Sequence, residues 1–348
     1  MRIPLRLLKK QTDYQEMLSV FKYSVCFVIP ALMWMLFDAT DNILRANFNT
    51  HIVPRPVNEL YTTLKKTLTH YNSTLMEDLQ REEKVFKILW YAPPSWQQPF
   101  RILQDCEFKN CAISFDRRDI TNSDLVLFHH ADMNIEPPTK QKDQIWVFVS
   151  FEALPNTRKY YTQQRWRDKF DWTMSYRSDS EGYAPYGKIV LRKQMQEINN
   201  TLLFAKKTKD VAWVVSHCNT ISKRMDYVKR MQQIINVDIF GYCGKPCGDN
   251  GCIQTLRNTY KFYLSFENAL CEDYITEKLF QNFNDGVNII PVVRGAPNVK
   301  KLIPANTFIS SNDFKSPEEL AKYLKVVGSN ETKYLFYLQN KNKFVNTL

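Results

Sequence analysis

No Asp-x-Asp pair occurs anywhere in the 348 residues, so the dicarboxylate clamp that commonly fixes a manganese ion on a nucleotide is absent and no metal site is expected. There is no internal repeat and no low-complexity tract, which excludes a solenoid and leaves a globular chain. Aromatic-basic modules of the RNP kind are missing too. The formal charge of +11 comes from dispersed lysines and arginines, so it argues against a nucleic-acid partner, a reading that would require an unanchored protein, and suits a basic surface facing an anionic nucleotide. What is present is a normal core-forming share of apolar residues, 44 % of the chain, with 14 % aromatic.

Long uncharged runs are also scarce, and the single informative one lies at the N-terminus. Arg2, Arg6, Lys9, Lys10 and Lys22 precede the uncharged segment Tyr23 to Phe37, and Asp38 and Asp41 follow it. Counted from Met17, with Lys22 snorkelling to the headgroups, the segment reaches the ~20 residues a spanning helix needs. The positive flank stays cytosolic, which predicts a tail over 1–16, a signal anchor over 17–37 and a lumenal remainder in a single-pass type II protein of a thin secretory-pathway membrane. A cleaved signal peptide is the competing reading, but no small-x-small cleavage site follows. Sequons at Asn72, Asn199 and Asn330 agree with lumenal placement. Cys26 lies in the apolar run; the other seven cysteines, Cys106, Cys111, Cys218, Cys243, Cys247, Cys252 and Cys271, face an oxidising compartment, and an odd number leaves at least one outside an intrachain pair. The spacing Cys243-x3-Cys247-x4-Cys252 with His217 and Cys218 upstream also admits a zinc reading, which an oxidising lumen disfavours against disulfides.

Residues 38–84 are polar and carry Pro54 and Pro56, as a stem does. Leu60, Leu64, Leu68, Leu75 and Leu79 fall at helical spacings within it. That pattern leaves two readings open, a tether with one marginal helix or a homo-oligomer formed through stem or anchor. Apolar strand patterns then run from Val85 to Tyr91, Leu125 to Phe128, Ile145 to Phe151 and Trp172 to Ser175, separated by helical stretches and loops, which predicts a Rossmann-like first lobe over 85–207. The charge run Lys206-Lys207-x-Lys209 reads as a linker. A second lobe, 208–348, restarts with Val211 to Val215, a helix through Met225, Val228 and Ile235, and the strand Val237 to Phe240.

The densest chemistry lies between Phe262 and Asn298. The strand Phe262-Tyr263-Leu264-Ser265-Phe266 runs into Glu267, Asn268, Asp273, Tyr274, Glu277 and Lys278; Ile275, Leu279 and Phe283 then recur every four residues and predict a helix with one buried face. A return strand, Ile289-Ile290-Pro291-Val292-Val293, ends in Gly295-Ala296-Pro297-Asn298. Strand, polar crevice, helix start and return strand are the α/β geometry for phosphorylated ligands. Phe266-Glu267-Asn268, Asp273-Tyr274-Ile275-Thr276-Glu277-Lys278 and Ile290-Pro291-Val292-Val293-x-Gly295-Ala296-Pro297 together resemble the donor-site signature of the α1,3-fucosyltransferases, glycosyltransferase family 10, in its plant and invertebrate form. Matches to the family span about Phe86 to Phe344, including Cys106-x4-Cys111, Asp116-Arg117, Phe128-His129 with Met133, and Phe170 to Ser180 with Asp171 where the family usually has Asn.

That resemblance implies an α/β protein of the GT-B kind, two Rossmann-like lobes with an interlobe cleft, working in the Golgi lumen with GDP-fucose as donor and no required cofactor. It implies an inverting transfer onto a GlcNAc hydroxyl of a protein- or lipid-linked glycan, and it assigns roles residue by residue. Arg224 and Lys278 are the expected diphosphate cations, suited to charge building on the leaving GDP. Glu277 is expected against the fucose ring, Asn268 and Tyr274 at the sugar nucleotide, and Glu152 as the base. Glu152 ends the apolar run Trp146 to Phe151 and begins Glu152-Ala153-Leu154-Pro155-Asn156, which departs from the family's Glu-Ser-Pro-x-Asn at Ala153 and Leu154. Arg177, Asp179 and Tyr186 are further candidates for the cleft wall. Core and Lewis-type acceptors both fit. The altered base loop, with the lack of a cysteine-bearing tail, motivates the alternative of a catalytically silent glycan-binding homologue.

Overall fold

A computed structural model describes residues 84–93, 110–194, 200–246 and 252–347. The expected tail, anchor and stem, apart from residue 84, lie outside these residues, as do Cys26, Cys106, Cys247, Asn72 and Asn199. Among the described residues no helix is long and apolar enough to cross a membrane.

The first lobe is a six-stranded parallel sheet built from β1 (Phe86–Ala92), β2 (Cys111–Ser114), β3 (Leu125–His129), β4 (Ile145–Ser150), β5 (Trp172–Ser175) and β6 (Gly182–Tyr183), in the order β2-β1-β3-β4-β5-β6. Both faces of a parallel sheet are covered, so its strands are continuous apolar runs whose alternate side chains enter different cores. Leu125, Leu127, Val147 and Val149 pack with Ile88 and Trp90 on one face, while Val126, Phe128 and Trp146 pack with Leu89, Met133 and Trp166 on the other. The expected strands are all present, but the connections differ from expectation: among the described residues no α-helix precedes Asn200, and short 3-10 turns such as Arg117–Asn122 and Leu154–Asn156 take the place of crossover helices.

After β7 (Ile189–Leu191), the second lobe follows α1 (Asn200–Lys206) and comprises β8 (Lys209–Val214), α2 (Arg224–Met231), β9 (Val237–Phe240), α3 (Cys252–Thr259), β10 (Tyr260–Phe266), α4 (Glu277–Phe280), β11 (Ile290–Arg294), α5 (Val299–Leu302), β12 (Ile309–Ser310), α6 (Pro317–Gly328) and α7 (Glu331–Asn342). Its parallel sheet runs β12-β11-β10-β8-β9. Numbered within each lobe, both sheets therefore begin second, first, third, fourth, fifth, and each reverses direction of progress between its first and third strands. Such a reversal opens a crevice at the carboxyl ends of the strands. A last strand, β13 (Phe344–Asn346), returns to pair antiparallel with β7, tying the end of the chain to the segment that leaves the first lobe.

The charge run taken for a linker is not a loose one. Lys207 is only 3 % exposed, and its Nζ donates to the Arg257 carbonyl near the end of α3.

Candidate active site at the interlobe seam

In the second sheet the reversal lies between β8 and β10, and the residues leaving those two strands converge there. The loop after β8 leads through Lys223, in the left-handed region at φ 50°, into α2, whose first residue is Arg224. Arg224 is 3 % exposed: Nη1 donates to the Phe266 carbonyl at 2.6 Å and Nη2 to the His217 carbonyl at 3.1 Å. Its guanidinium thus forms the wall of the crevice and holds the end of β10. Burial lowers its pKa, and Glu267, Tyr274 and Glu277 oppose that shift.

Directly after β10, Glu267 is 2 % exposed. Its Oε1 accepts from the Thr276 amide at 2.8 Å and from Thr276 Oγ1 at 2.9 Å, and Oε2 lies 3.4 Å from Lys278 Nζ. A buried carboxylate is tolerable only when so satisfied. Thr276 is also the N-cap of α4, and the expected helix is real but brief: one α-turn followed by a 3-10 turn, Gln281–Phe283, with Ile275, Leu279 and Phe283 buried as the spacing predicts. Lys278 Nζ donates to Thr276 Oγ1 at 2.8 Å and to Glu277 Oε1 at 2.9 Å. Burial pulls the Lys278 pKa down, but Glu267 and Glu277 outweigh it and hold it above its ordinary value, while Arg224 is close enough to act against them. The two expected cations therefore share one electrostatic neighbourhood. Lys278 keeps a quarter of its side chain exposed and Glu277 more than half, so these two line the opening. Asn268 is half-buried with Oδ1 shielded from solvent and without a hydrogen-bond partner.

Across the seam stands Glu152, half-buried two residues beyond β4. Its Oε2 accepts from the phenol of Tyr274 at 3.3 Å, a contact between residues 122 apart in sequence. Tyr274 itself is 2 % exposed and packs edge-on against Tyr176 at 4.8 Å, so its hydroxyl serves the interlobe contact. Tyr186 donates to the Phe151 carbonyl at 2.5 Å, and Ala153 is fully buried beside Tyr176 and Tyr274, whereas Leu154 is 65 % exposed. A second bridge joins the lobes where Asp273 Oδ2 accepts from the amide and hydroxyl of Ser178 at 3.0 and 2.8 Å. Arg177 and Asp179 pair with one another at the exposed rim, 2.6 Å apart. Gly187 completes the seam by close approach: a Cβ there would meet Phe280 Cγ at 2.1 Å.

All six expected site residues, Glu152, Arg224, Asn268, Tyr274, Glu277 and Lys278, thus fall at the seam or in the crevice beside it. Sequence reading gave no role to Glu267, Thr276, Ser222 or Arg294. Arg294 Nη1 donates to the Ser222 carbonyl at 2.8 Å over the Tyr227 ring, and Ser222 Oγ donates to the Glu267 carbonyl at 2.7 Å. A polar residue at the last position of an otherwise apolar strand was the available signal for Arg294. Gly295 follows because a Cβ there would meet Glu267 Cγ at 2.8 Å. Cys218 and Cys243 form a disulfide that staples the loop before Arg224 to the loop after β9, which removes both sulfurs from the zinc reading. A cavity of about 410 Å³ opens at the opposite, amino-terminal edge of the second sheet, where Asp238 is already engaged by Lys245 and Tyr260; it is remote from this chemistry.

Fold and site define a class: an α/β protein of two parallel-sheet lobes with its ionic groups gathered where the lobes meet. The family model for the glycosyltransferase family 10 (fucosyltransferase) C-terminal region matches residues 204–347, and the model for the fucosyltransferase N-terminal region matches residues 83–187. The chain belongs to glycosyltransferase family 10. It is 36 % identical over 250 residues to alpha-(1,3)-fucosyltransferase fut-1 of Caenorhabditis elegans, covering 70 % of this chain and 56 % of that protein. It is 35 % identical over 260 residues to the 3-galactosyl-N-acetylglucosaminide 4-alpha-L-fucosyltransferase FUT3 of Pan troglodytes, covering 70 % and 68 %. The chain therefore spans little more than half of the worm relative. A crystal structure of alpha1,3-fucosyltransferase with GDP-fucose shares the fold, with a TM-score of 0.52 at 18 % identity over 77 % of this chain and 85 % of that one.

Proposed function

We propose that this protein transfers L-fucose from GDP-β-L-fucose to a GlcNAc hydroxyl of a protein- or lipid-linked glycan, with inversion, in a GT-B arrangement whose first lobe (85–207) takes the acceptor and second lobe (208–348) the donor. The observation that carries the reading is the meeting of opposite chemistries at one seam: Lys278 and Arg224 on the second lobe, and Glu152 reaching the same seam from the first.

In this reading Lys278 contacts the diphosphate at the opening, and Arg224 adds positive potential from the crevice wall while holding the exit of β10. Preorganised cations of this kind stabilise charge that grows on a leaving group without having to reorganise. Glu277, beside Lys278 and largely exposed, faces the sugar as its ring gains cationic character, and Asn268 offers a buried carbonyl oxygen in need of a donor. The acceptor oxygen forms its bond to the anomeric carbon as the bond to phosphate breaks, the electron pair leaves with GDP, and the hydroxyl proton passes to Glu152. One carboxylate base on the acceptor side is sufficient for inversion. No cofactor enters this scheme.

The Golgi lumen, with a type II anchor over 17–37, belongs to the same proposal; the Cys218–Cys243 disulfide supports an oxidising compartment. The test is to supply the full chain with GDP-fucose and two acceptors, core chitobiose and N-acetyllactosamine, and to follow GDP release and the anomeric linkage. An α-linked product on either acceptor is the expected result. Binding of glycan with no GDP release on any GlcNAc acceptor would replace it with the silent-homologue reading.

A further inference from the structure

The phenol of Tyr274 comes from one lobe and the carboxylate it touches from the other, and the turn that delivers it is fixed from several sides. Asp273, immediately before it, adopts a left-handed φ of 61°, a region that aspartate visits more readily than most non-glycine residues and in which surrounding hydrogen bonds can hold it. They do so here. The Asp273 amide donates to Asn298 Oδ1 at 3.0 Å, Oδ1 accepts from Asn298 Nδ2 at 2.6 Å, and Oδ2 accepts both Ser178 donors. The turn sends the Tyr274 ring into a slot between Tyr176 and Tyr186, 4.8 and 6.4 Å away, over the fully buried Ala153 and Ala269. Its hydroxyl then reaches Glu152 Oε2 while Tyr186 holds the adjoining Phe151 carbonyl from the first lobe's own side.

We propose that Tyr274 is a positioning residue for Glu152: a neutral phenol of the donor lobe that ties down one oxygen of the acceptor-side carboxylate and leaves the other to take the acceptor proton. The inference rests on the reading of Glu152 as the base, and it moves the Tyr274 hydroxyl from the sugar nucleotide, where the family resemblance puts it, to the carboxylate it touches. At 3.3 Å the contact is long, and the phenol is its donor: burial above all, with Tyr186 and Glu152 adding to it, pushes the Tyr274 pKa far up, so the phenol keeps its proton. Glu277 and Lys278 follow three and four residues later on the same turn. The group that receives the proton and the groups that face the donor are therefore aligned by a single stretch of backbone.

The experiment compares Tyr274→Phe, Glu152→Gln and the double variant of the full chain with wild type. Tyr274→Phe keeps the ring in its slot and removes only the hydroxyl. It is expected to lower kcat about tenfold or more, with KM for GDP-fucose within about twofold of wild type, because a lost base alignment affects the chemical step. In the Glu152→Gln background the same change should have no further effect on kcat. Ser178→Ala, which loosens the turn but touches neither partner, should lower kcat by less, again without raising KM. An unchanged kcat in Tyr274→Phe, or a tenfold rise in KM for GDP-fucose with kcat intact, would overturn the proposal and make Tyr274 a donor ligand or a packing residue. If wild type itself releases no GDP, the transfer reading fails first, and thermal unfolding of the same set decides the contact: non-additive midpoints for Tyr274→Phe and Glu152→Gln sustain it, additive ones remove it.

Discussion

The two sheets share a strand order but furnish their third and fourth strand exits differently. In the first lobe the third strand ends in His129-His130, both buried, where the His130 ring accepts from the Arg158 amide at 3.0 Å and burial, with His129 beside it, lowers its pKa to about 4. The fourth strand is followed by Glu152, touched by a neutral phenol. In the second lobe the third strand ends in Glu267, locked by Thr276 and Lys278, and the fourth in Arg294 before Gly295. Strand order thus decides where polar groups can gather, whereas their pairing decides what they do. A carboxylate already committed to an ammonium and two threonine donors, like Glu267, is a structural fixture. One held by a neutral donor, like Glu152, is the carboxylate to which the proposed function gives the base's part.

The sharpest break of this comparison is Glu152→Gln against changes in the second lobe. Glu152→Gln should lower turnover by about 10²–10⁴-fold with GDP affinity unchanged, since general-base assistance is lost and the diphosphate site is not. An equal loss of GDP binding, measured by calorimetry, would show that Glu152 belongs to the donor site. Lys278→Met should do the converse and weaken GDP binding about 10- to 100-fold, the worth of a charge-assisted hydrogen bond or two. It also leaves Glu267 buried with one partner fewer, so affinity has to be compared at equal folded fraction. Unchanged GDP affinity would separate Lys278 from the diphosphate and leave it as a partner of Glu267 alone.

Much of this contrast was legible beforehand because strong local signals produced it. Apolar runs of four to seven residues revealed β1, β3, β4, β5, β8, β9, β10 and β11, and the polar cluster after Phe266 revealed the crevice. What escaped had no local signal. β2, β6, β7, β12 and β13 are short, and β13 exists only because β7, far upstream in the chain, lies beside it. The burial of Lys207 depends on the Arg257 carbonyl, and the structural role of Glu267 depends on Thr276 nine residues away. Tyr274 was expected at the site from its motif, but its neighbours Tyr176 and Glu152 come from another lobe, and no spacing rule connects them. The anchor and stem remain sequence expectations outside the described residues.

A smaller effect probes the seam itself. Gly187→Ala would put a methyl group 2.1 Å from Phe280 Cγ, and because Phe280 is 7 % exposed in the packed core beneath α4 it cannot simply swing into solvent. Overpacking of this kind costs about 1–3 kcal/mol. The expected outcome is a lower unfolding midpoint together with a reduced kcat, since α4 carries Lys278 and the turn before it holds Tyr274. A drop in midpoint with kcat unchanged would mean that the lobes adjust independently of the site.

The smallest effect is a change of slope, and it tests whether the second lobe's other buried cation is charged at all. Lys341, 2 % exposed on α7, has two hydrogen-bond acceptors, the Asn282 and Val287 carbonyls, each at 2.7 Å. Two acceptors match the two N–H groups of a neutral amine, and among the described residues no carboxylate pairs with it. Burial lowers its pKa from 10.5 to about 7, and the neighbouring Arg192 and Lys207 push the same way. Between pH 7 and 10.5 the unfolded chain therefore binds more protons at this residue than the folded one, so its contribution makes stability rise with pH across that window and level off below it. Lys341→Met should flatten the rise in unfolding midpoint between pH 7 and 10, leaving the part due to Lys207, whose pKa burial also lowers to about 7. An identical slope in wild type and variant would mean that Lys341 keeps its proton when folded. The two carbonyls would then be holding an ammonium beneath the same 3-10 turn that follows Lys278, and the contrast between paired and unpaired charges would have to be drawn within the second lobe as well as between the two.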